Sequence, residues 1–267
     1  YNFKIELKSS SSTLGAEFNY KEFLPGGFYW TPPTDELNIA LYSFNEKKYK
    51  HIDLLGSFRL GYLTVKPNQN NLSFANLEIA DVKKRNFEYL SSSIGIRKIM
   101  NKFEFNSWIM NTMRGPQSEE LFSDGPHLGT YSYEVGKPDL DIEKIYGLES
   151  SLSYSTQFLS TSFTAFYNKS PYYYQMSKRG NCDNISLQEC SNQGYIVGGV
   201  GGPGYLYIYE TEGVEASIKG LEFNIDYSYL DFQIQYEYAM VRGYNKTYNE
   251  PLSYINPDKQ VLTLEYK

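Results

Sequence analysis

The stretch FQIQYEYAM, residues 232–240, alternates without interruption. Phe232, Ile234, Tyr236, Tyr238 and Met240 share one parity, while Gln233, Gln235 and Glu237 share the other. Successive side chains of a strand point to opposite faces, so this is a strand with one apolar and one wet face. Outward from it the same period recurs. LESSLSYS (148–155) sets Leu148, Leu152 and Tyr154 against Glu149, Ser151, Ser153 and Ser155. HIDLLGSFRLGYLTV (51–65) sets Ile52, Leu54, Phe58, Leu60 and Tyr62 against Asp53, Ser57, Arg59 and Gly61. KIELK (4–8) and VLTLEYK (261–267) do likewise, and no segment shows convincing helical periodicity.

Composition agrees. Aromatics are 17% of the 267 residues, dominated by 27 Tyr, and aromatic residues favour strands. The formal charge of -6 gives no attractive field for nucleic acid. From Tyr1 onward there is neither a charged n-region nor an apolar h-region, so no signal peptide is expected within this stretch. No run approaches the length of a transmembrane helix, which excludes only helical spans. Strands of a membrane barrel alternate and never show such a run.

The pattern predicts eleven strands, at about 2–9, 13–20, 36–45, 49–65, 84–99, 102–114, 141–156, 158–174, 204–228, 230–244 and 258–267. Their links alternate in length. Short ones fall at SSSS (9–12), NEKK (45–48), KIMN (98–101), Gln157 and Leu230–Asp231; long ones at 21–35, 66–83, 115–140, 175–203 and 246–257. All short links therefore share one end of the sheet and all long links the other. A sandwich can also pair one wet with one apolar face. Strict alternation of link length, with strands well beyond the usual about 5–6 residues, favours a transmembrane antiparallel up-and-down β-barrel with short periplasmic turns and long external loops. One strand breaks parity. Val214, Ala216 and Ile218 stand on one face and Leu221, Phe223 and Ile225 on the other. Either a bulge at Gly220 restores the faces, or the first part projects above the membrane.

The long link around ELFSDGPHLGTYSYEVGKPDLDIEKIY (120–146) is external on this parity. The surrounding MRGPQSEELFSDGPHLGTYSYEVGKPDLDIEKIYGLESSLSY (113–154) resembles the mid-barrel signature of TonB-dependent outer-membrane receptors. Arg114, Pro116, Glu119, Glu120, Leu121, Phe122, Gly125, Pro126, His127, Tyr133, Glu134, Gly136, Pro138, Asp139, Leu140, Glu143, Lys144 and Glu149 stand where that signature has its residues. GLEFNIDYSY (220–229), with Glu222 expected in the lumen, and EPLSYINPDKQVLTLEYK (250–267) resemble two later family blocks, and the likeness extends loosely back to residue 36.

This resemblance implies a partial barrel domain over 1–267, about eleven strands of a barrel of about 22, without the family's plug domain and TonB box. Such a fragment would not be expected to transport alone. The complete protein would be an energised uptake receptor, not an enzyme. It would sit in outer-membrane lipid, take a metal-chelate ligand such as a ferric siderophore, and be driven by the TonB–ExbB–ExbD complex. The Gly-Pro-His block also resembles that of zinc-uptake receptors, although the chain has only two His. A passive porin and a secreted β-sandwich that binds glycans through surface Tyr remain as alternatives.

Individual residues add candidates. Cys182 and Cys190, in an Asn- and Ser-rich loop without further metal ligands, read as a disulfide in an oxidising compartment. His127 reads as a metal ligand or as an orderer of its loop; His51 lies beside a short turn. Tyr172, Tyr173, Tyr174 and Arg179 could touch an anionic aromatic chelate, or the tyrosines could form an interfacial girdle. The Gly-rich run 194–204 reads as a flexible lid. Carboxylates recurring at period two fit a lumen wall better than acid–base catalysis, and no hydrolase or phosphate-binding motif is present.

Overall fold

A computed structural model describes residues 1–25, 31–68, 75–199 and 204–266. In chain order the elements are β1 (Asn2–Lys8), β2 (Ser12–Phe23), β3 (Thr34–Lys48), β4 (Asp53–Pro67), β5 (Arg85–Met100) and β6 (Phe103–Arg114). Then come α1 (Ser118–Phe122), β7 (Asp124–His127), β8 (Ser132–Val135), β9 (Glu143–Ser155) and β10 (Leu159–Lys178). The chain continues with α2 (Leu187–Asn192), β11 (Ile196–Gly199), β12 (Gly204–Tyr229), β13 (Phe232–Asn245), β14 (Glu250–Pro251) and β15 (Lys259–Tyr266). Every strand expected from alternation is present. The additions are two short helices and four short strands, all within the long links.

One sheet runs β1-β2-β3-β4-β5-β6-β9-β10-β12-β13, with β15 completing the far side on β13. Each long strand is antiparallel to its predecessor, so the backbone ladder passes from strand to strand across the sheet. The links keep their expected alternation. Two-residue turns at Asn101–Lys102 and Leu230–Asp231 use the left-handed region, with φ of 55° at Asn101 and 50° at Leu230. Tight hairpins require this hand because it matches strand twist.

Register places the apolar parities of all eleven strands on one face. Ile5 pairs Ala16, Ala16 pairs Leu41, and Leu41 pairs Leu60. Farther along, Ile109 pairs Leu148, Phe163 pairs Phe223, and Ile234 pairs Leu264. This face is bare. Ile94 and Ile109 are 72% and 69% exposed although they lie on paired central strands. No second sheet covers them among the described residues. The opposite face is polar and cross-linked. Arg59 meets Glu17 at 3.1 Å, Arg97 meets Asp53 at 2.7 Å and also Glu46, and Tyr42 donates to Glu6 at 2.7 Å. An apolar outer face over a charged inner one is the arrangement of a membrane barrel wall. At 20 and 26 residues, β10 and β12 exceed the about 9–11 that cross a bilayer, so they continue beyond it.

Two local expectations are corrected. The turn placed at 45–48 falls instead at 49–52, because Asn45 to Lys48 stay paired to β4 and Glu46 turns inward to Arg97. Gly220 makes no bulge. It pairs in register with Phe166 and Val241, and a Cβ there would meet the Phe166 ring at 2.6 Å. The register shift lies across the pairing in β10, between Ser170 and Tyr173, where Pro171 cannot donate to a ladder. Val214 and Ala216 are buried, on the inner parity.

The two faces make opposite demands. Ile94→Lys puts a charge into the apolar face and should destabilise the complete protein in lipid by about 2–4 kcal/mol. Thr164→Lys, on the inner parity, should cost about 1 kcal/mol or less. Denaturant unfolding in lipid of both variants checks the assignment; equal losses would refute it.

Candidate functional site

All long links lie at one end of the sheet, and the described parts of four of them are tied to one another. Loop 115–142 is the centre. Its first turn starts at Arg114, whose guanidinium forks onto both Glu120 oxygens at 2.8 Å and reaches Glu143 at 2.5 Å. The same guanidinium stacks on the Tyr174 ring at 4.5 Å. Glu120 also accepts the Gln117 backbone N–H at 2.8 Å, fixing the start of α1. A planar fork against paired carboxylates sets direction as well as distance, so three segments are held by one side chain.

Leu121 and Phe122 of α1 are fully buried with Val65, Val82, Phe87, Leu140 and Tyr174. Gly136 passes so close beneath α1 that a Cβ would stand 2.6 Å from the Leu121 and Phe122 backbone. Pro138 and Asp139 occupy the turn closed by Leu140 N–H on the Lys137 carbonyl at 3.1 Å. Proline presets the turn's φ. Arg85 donates to the Pro138 carbonyl and to that of Leu140 at 3.0 Å.

Gly125 and Pro126 lie in β7, which pairs with β8 as a hairpin. β8 then runs parallel to β12 along 207–210, so a loop leaving β6 reaches a strand three places away. Inside the hairpin, His127 Nδ1 lies 2.8 Å from Glu134 Oε1, which also accepts from Thr130 and Ser132 at 3.1 Å. Asp124 accepts from the Asn76 and Leu77 backbone N–H groups at 2.6 and 2.9 Å, from Asn76 Nδ2 at 2.8 Å and from Tyr133 at 3.0 Å. Burial, then the Asp124 charge, holds the Tyr133 phenol well above its ordinary pKa, so it stays a donor. Loop 68–84 is thereby fastened to loop 115–142. Thr31 and Ser123 hydroxyls, 3.2 Å apart, bring in the loop after β2. Arg179 adds the loop after β10, through Asn76 at 3.0 Å and Glu210 at 2.6 Å.

The candidate ligand residues separate. Tyr172 accepts the Asp141 N–H at 3.3 Å. Tyr174 accepts the Glu143 N–H at 2.9 Å and donates to the Asp141 carbonyl. Tyr173 is half-buried with Glu143 and Arg114 in reach of its charge. Tyr172 and Tyr174 thus brace the loop. His127 braces the hairpin, and no group of three metal-ligating side chains occurs among the described residues. Arg179 borders a cavity of about 720 Å³ between β10, β12 and 246–257, which also receives Gln175, Glu210, Glu212 and Tyr248. Glu210, Glu212 and Tyr248 carried no sequence signal, since they come together only when loops meet strands. Cys182 and Cys190 are disulfide-bonded, with Cα atoms 5.5 Å apart, around α2. The Gly-rich run is partly a hairpin, Gly198 pairing Tyr205, and its tip at 200–203 lies outside the described residues.

Gly136→Ala must move the α1 backbone, and Arg114→Ala leaves Glu120 and Glu143 facing each other. Each should destabilise the loop by about 1–3 kcal/mol and speed limited proteolysis within 115–142, with Arg114→Lys intermediate. Unchanged cleavage would contradict the bracing role. Separately, the Glu212 carboxylate, accepting from Tyr248 at 2.6 Å, lifts that phenol from 10.0 to about 12. The protonated phenol is the form the fold favours, so the contact is intact below pH 10 and lost as pH passes about 12. Site-labelled tyrosine NMR should show this titration, and Glu212→Gln should return it toward 10.0.

Comparison with known proteins places this architecture. Residues 1–267 match the family described as "TonB dependent receptor-like, beta-barrel". No curated protein sequence matches. Among solved structures, the copper transporter OprC aligns with TM-score 0.71 and 15% identity over 99% of this chain and 40% of its own. The FrpB iron transporter from Neisseria meningitidis gives 0.64 and 12%, over 100% of this chain and 39% of its own. The Serratia marcescens hemophore receptor HasR, solved with HasA and heme, gives 0.64 and 13%, over 100% and 48%. The chain thus spans less than half the length of these structures. With its whole length matched by the family and its sheet superposing on barrel walls of that kind, the chain belongs to the TonB-dependent receptor β-barrel family.

Proposed function

We propose that this chain forms about half the wall of an outer-membrane receptor that takes up a ferric siderophore. The barrel of about 22 strands would close with strands beyond those described. A plug domain and the TonB–ExbB–ExbD complex would supply gating and energy. The observation that carries the reading is the fastened rim: four long loops joined through Asp124, Arg179 and the Thr31–Ser123 pair, with Arg114 bracing the central one, beside a polar cavity. A preorganised rim loses less entropy on binding than free loops do. Lys178 and Arg179 border the cavity beside Glu210, Glu212 and Glu250, so a chelate there would meet both signs of charge, with Tyr209 and Tyr248 offering aromatic surface. The names of the similar structures, a copper transporter, an iron transporter and a hemophore receptor, support a metal-bearing cargo. Bare zinc fits less well, because His127 is held by Glu134 and no three-ligand cluster stands among the described residues.

Uptake of radiolabelled ferric siderophore by cells making the complete receptor tests this. Uptake should stop when TonB is removed. Arg179→Ala should weaken siderophore binding roughly tenfold, worth about 1.4 kcal/mol. Uptake that persists without TonB would instead indicate a passive pore.

A further inference from the structure

The outward face changes character on the two sides of β6. On the β5 side it is raised. Ile94 and Ile109 are paired directly across β5 and β6 and both stand exposed. On the β9–β10 side it is hollowed. A shallow groove of about 500 Å³ lies between these isoleucines and Tyr146, Leu148 and Tyr167. In the next row toward the short turns Ser107, Ser150 and Ala165 share one register, and the Ser107 and Ser150 hydroxyls close on each other at 2.9 Å. Small side chains keep that row low, so a ridge lies beside a depression.

Charge divides along the same line. Counted from the short-turn ends Met100, Ser155 and Leu159, the outward Glu88, Lys144 and Lys169 lie twelve, eleven and ten residues in, so they stand at nearly one height above the apolar band. Beyond Glu88 the outward positions at the loop end are Lys66, Asp35 and Glu22 on β4, β3 and β2. Beyond Lys169 they are Lys219 and Arg242 on β12 and β13. One flank of β6 is therefore mainly acidic and the other cationic. Lys169 and Lys144 meet carboxylates of their own copy only at 3.6 and 3.9 Å, and Glu88 has no ion-pair partner among the described residues.

A twofold axis along the membrane normal at β6 turns the β5 side of one copy onto the β9–β10 side of another. The ridge of each copy then enters the groove of the other, and each Glu88 comes to face Lys144 and Lys169 across the axis. One operation satisfies shape and charge together, which is the requirement for an isologous interface. Apolar contact alone gains little where lipid tails already cover the face, so association in the membrane needs interlocking surfaces and polar pairs.

We infer that the outward face of β5–β10 is the interface through which two copies of this receptor pair in the membrane, about a twofold axis at β6. The inference rests on the barrel reading above.

The test is the dimer dissociation constant of the complete receptor, by light scattering in detergent across a dilution series. Glu88→Lys and Lys169→Glu should each raise it at least about tenfold, by setting like charges opposite each other. The double variant Glu88→Lys/Lys169→Glu should return to within about threefold of wild type, because the exchange restores opposite charges across the axis. In lipid nanodiscs, Ile109→Cys should cross-link copy to copy under mild oxidant, whereas Leu41→Cys, on the same face of β3, should not. Heat-modifiable gel migration checks that each variant is folded, and recovery in the double variant separates lost pairing from misfolding. A monomer throughout the dilution series, a double variant as weak as either single one, or equal cross-linking at positions 41 and 109 overturns the interface. A monomer that instead retains a lipid at the groove in native mass spectrometry overturns it as well. A receptor that stays soluble without detergent would overturn the barrel reading beneath it.

Discussion

Hydrocarbon offers no hydrogen bonds, so every backbone N–H and C=O inside it must be matched by the protein. That constraint dictates the rest of this wall. It makes each long strand pair with the next, because adjacency in sequence is the cheapest route to a full ladder. It reduces the links at one end to two to four residues, since any longer unpaired backbone would have to leave the membrane. It also fixes parity. Once Ile109 faces lipid, register carries Leu148, Tyr167 and their neighbours to the same side and sends Glu149, Thr164 and Glu222 inward. Among the described residues β1 and β15 each have one strand partner, so both flanks of the sheet are open edges.

Beyond the bilayer the constraint reverses, because water competes for every hydrogen bond and a long loop has no reason to hold one shape. The loop end answers with carboxylates that each gather several donors. Asp124 collects two backbone amides, an asparagine amide and a phenol. Glu134 collects a histidine and two hydroxyls, and Glu120 and Glu143 share Arg114. A charged acceptor with several short bonds outlasts a neutral pair, and it joins segments far apart in sequence. The apolar cluster around Leu121 and Phe122 then excludes water from beneath these bonds, which strengthens them.

Strand content was legible because burial in lipid is periodic and periodicity is local. Phe232 to Met240 needs no partner to declare its faces. The motif from Arg114 to Glu149 was legible as a resemblance, yet its roles were not. Nothing in the string shows that Arg114 grips Glu143 across 29 residues, or that Gly136 is required by contact with α1 rather than by a turn. The turn at 45–48 misled because Glu46 and Lys48 look like loop residues; they are polar because the inner face is polar, and Arg97 confirms the side. Gly220 misled in the same way. A glycine between two parities suggested a bulge, whereas the extra residue sits across the pairing in β10 and the glycine makes room for Phe166. Period-two reasoning locates faces well but cannot tell which of two partnered strands carries an irregularity.

The register shift near Pro171 has a further consequence. Below it, β10 presents Phe163, Ala165, Tyr167 and Lys169 to the membrane side; above it, one extra residue resets parity so that Gln175 turns toward Asn245, at 3.2 Å, and the cavity. β10 and β12 thus carry the outward Lys169 and Lys219 and line the rim cavity, on opposite faces. Lys219 and Glu212 are seven residues apart on β12, about 24 Å along the strand at about 3.4 Å each. Loop composition around the cavity can therefore change while the strand below keeps its register. A rim built on overlong strands has a rigid base at the height where ligand would meet it, and that base comes from the wall, not from the loops.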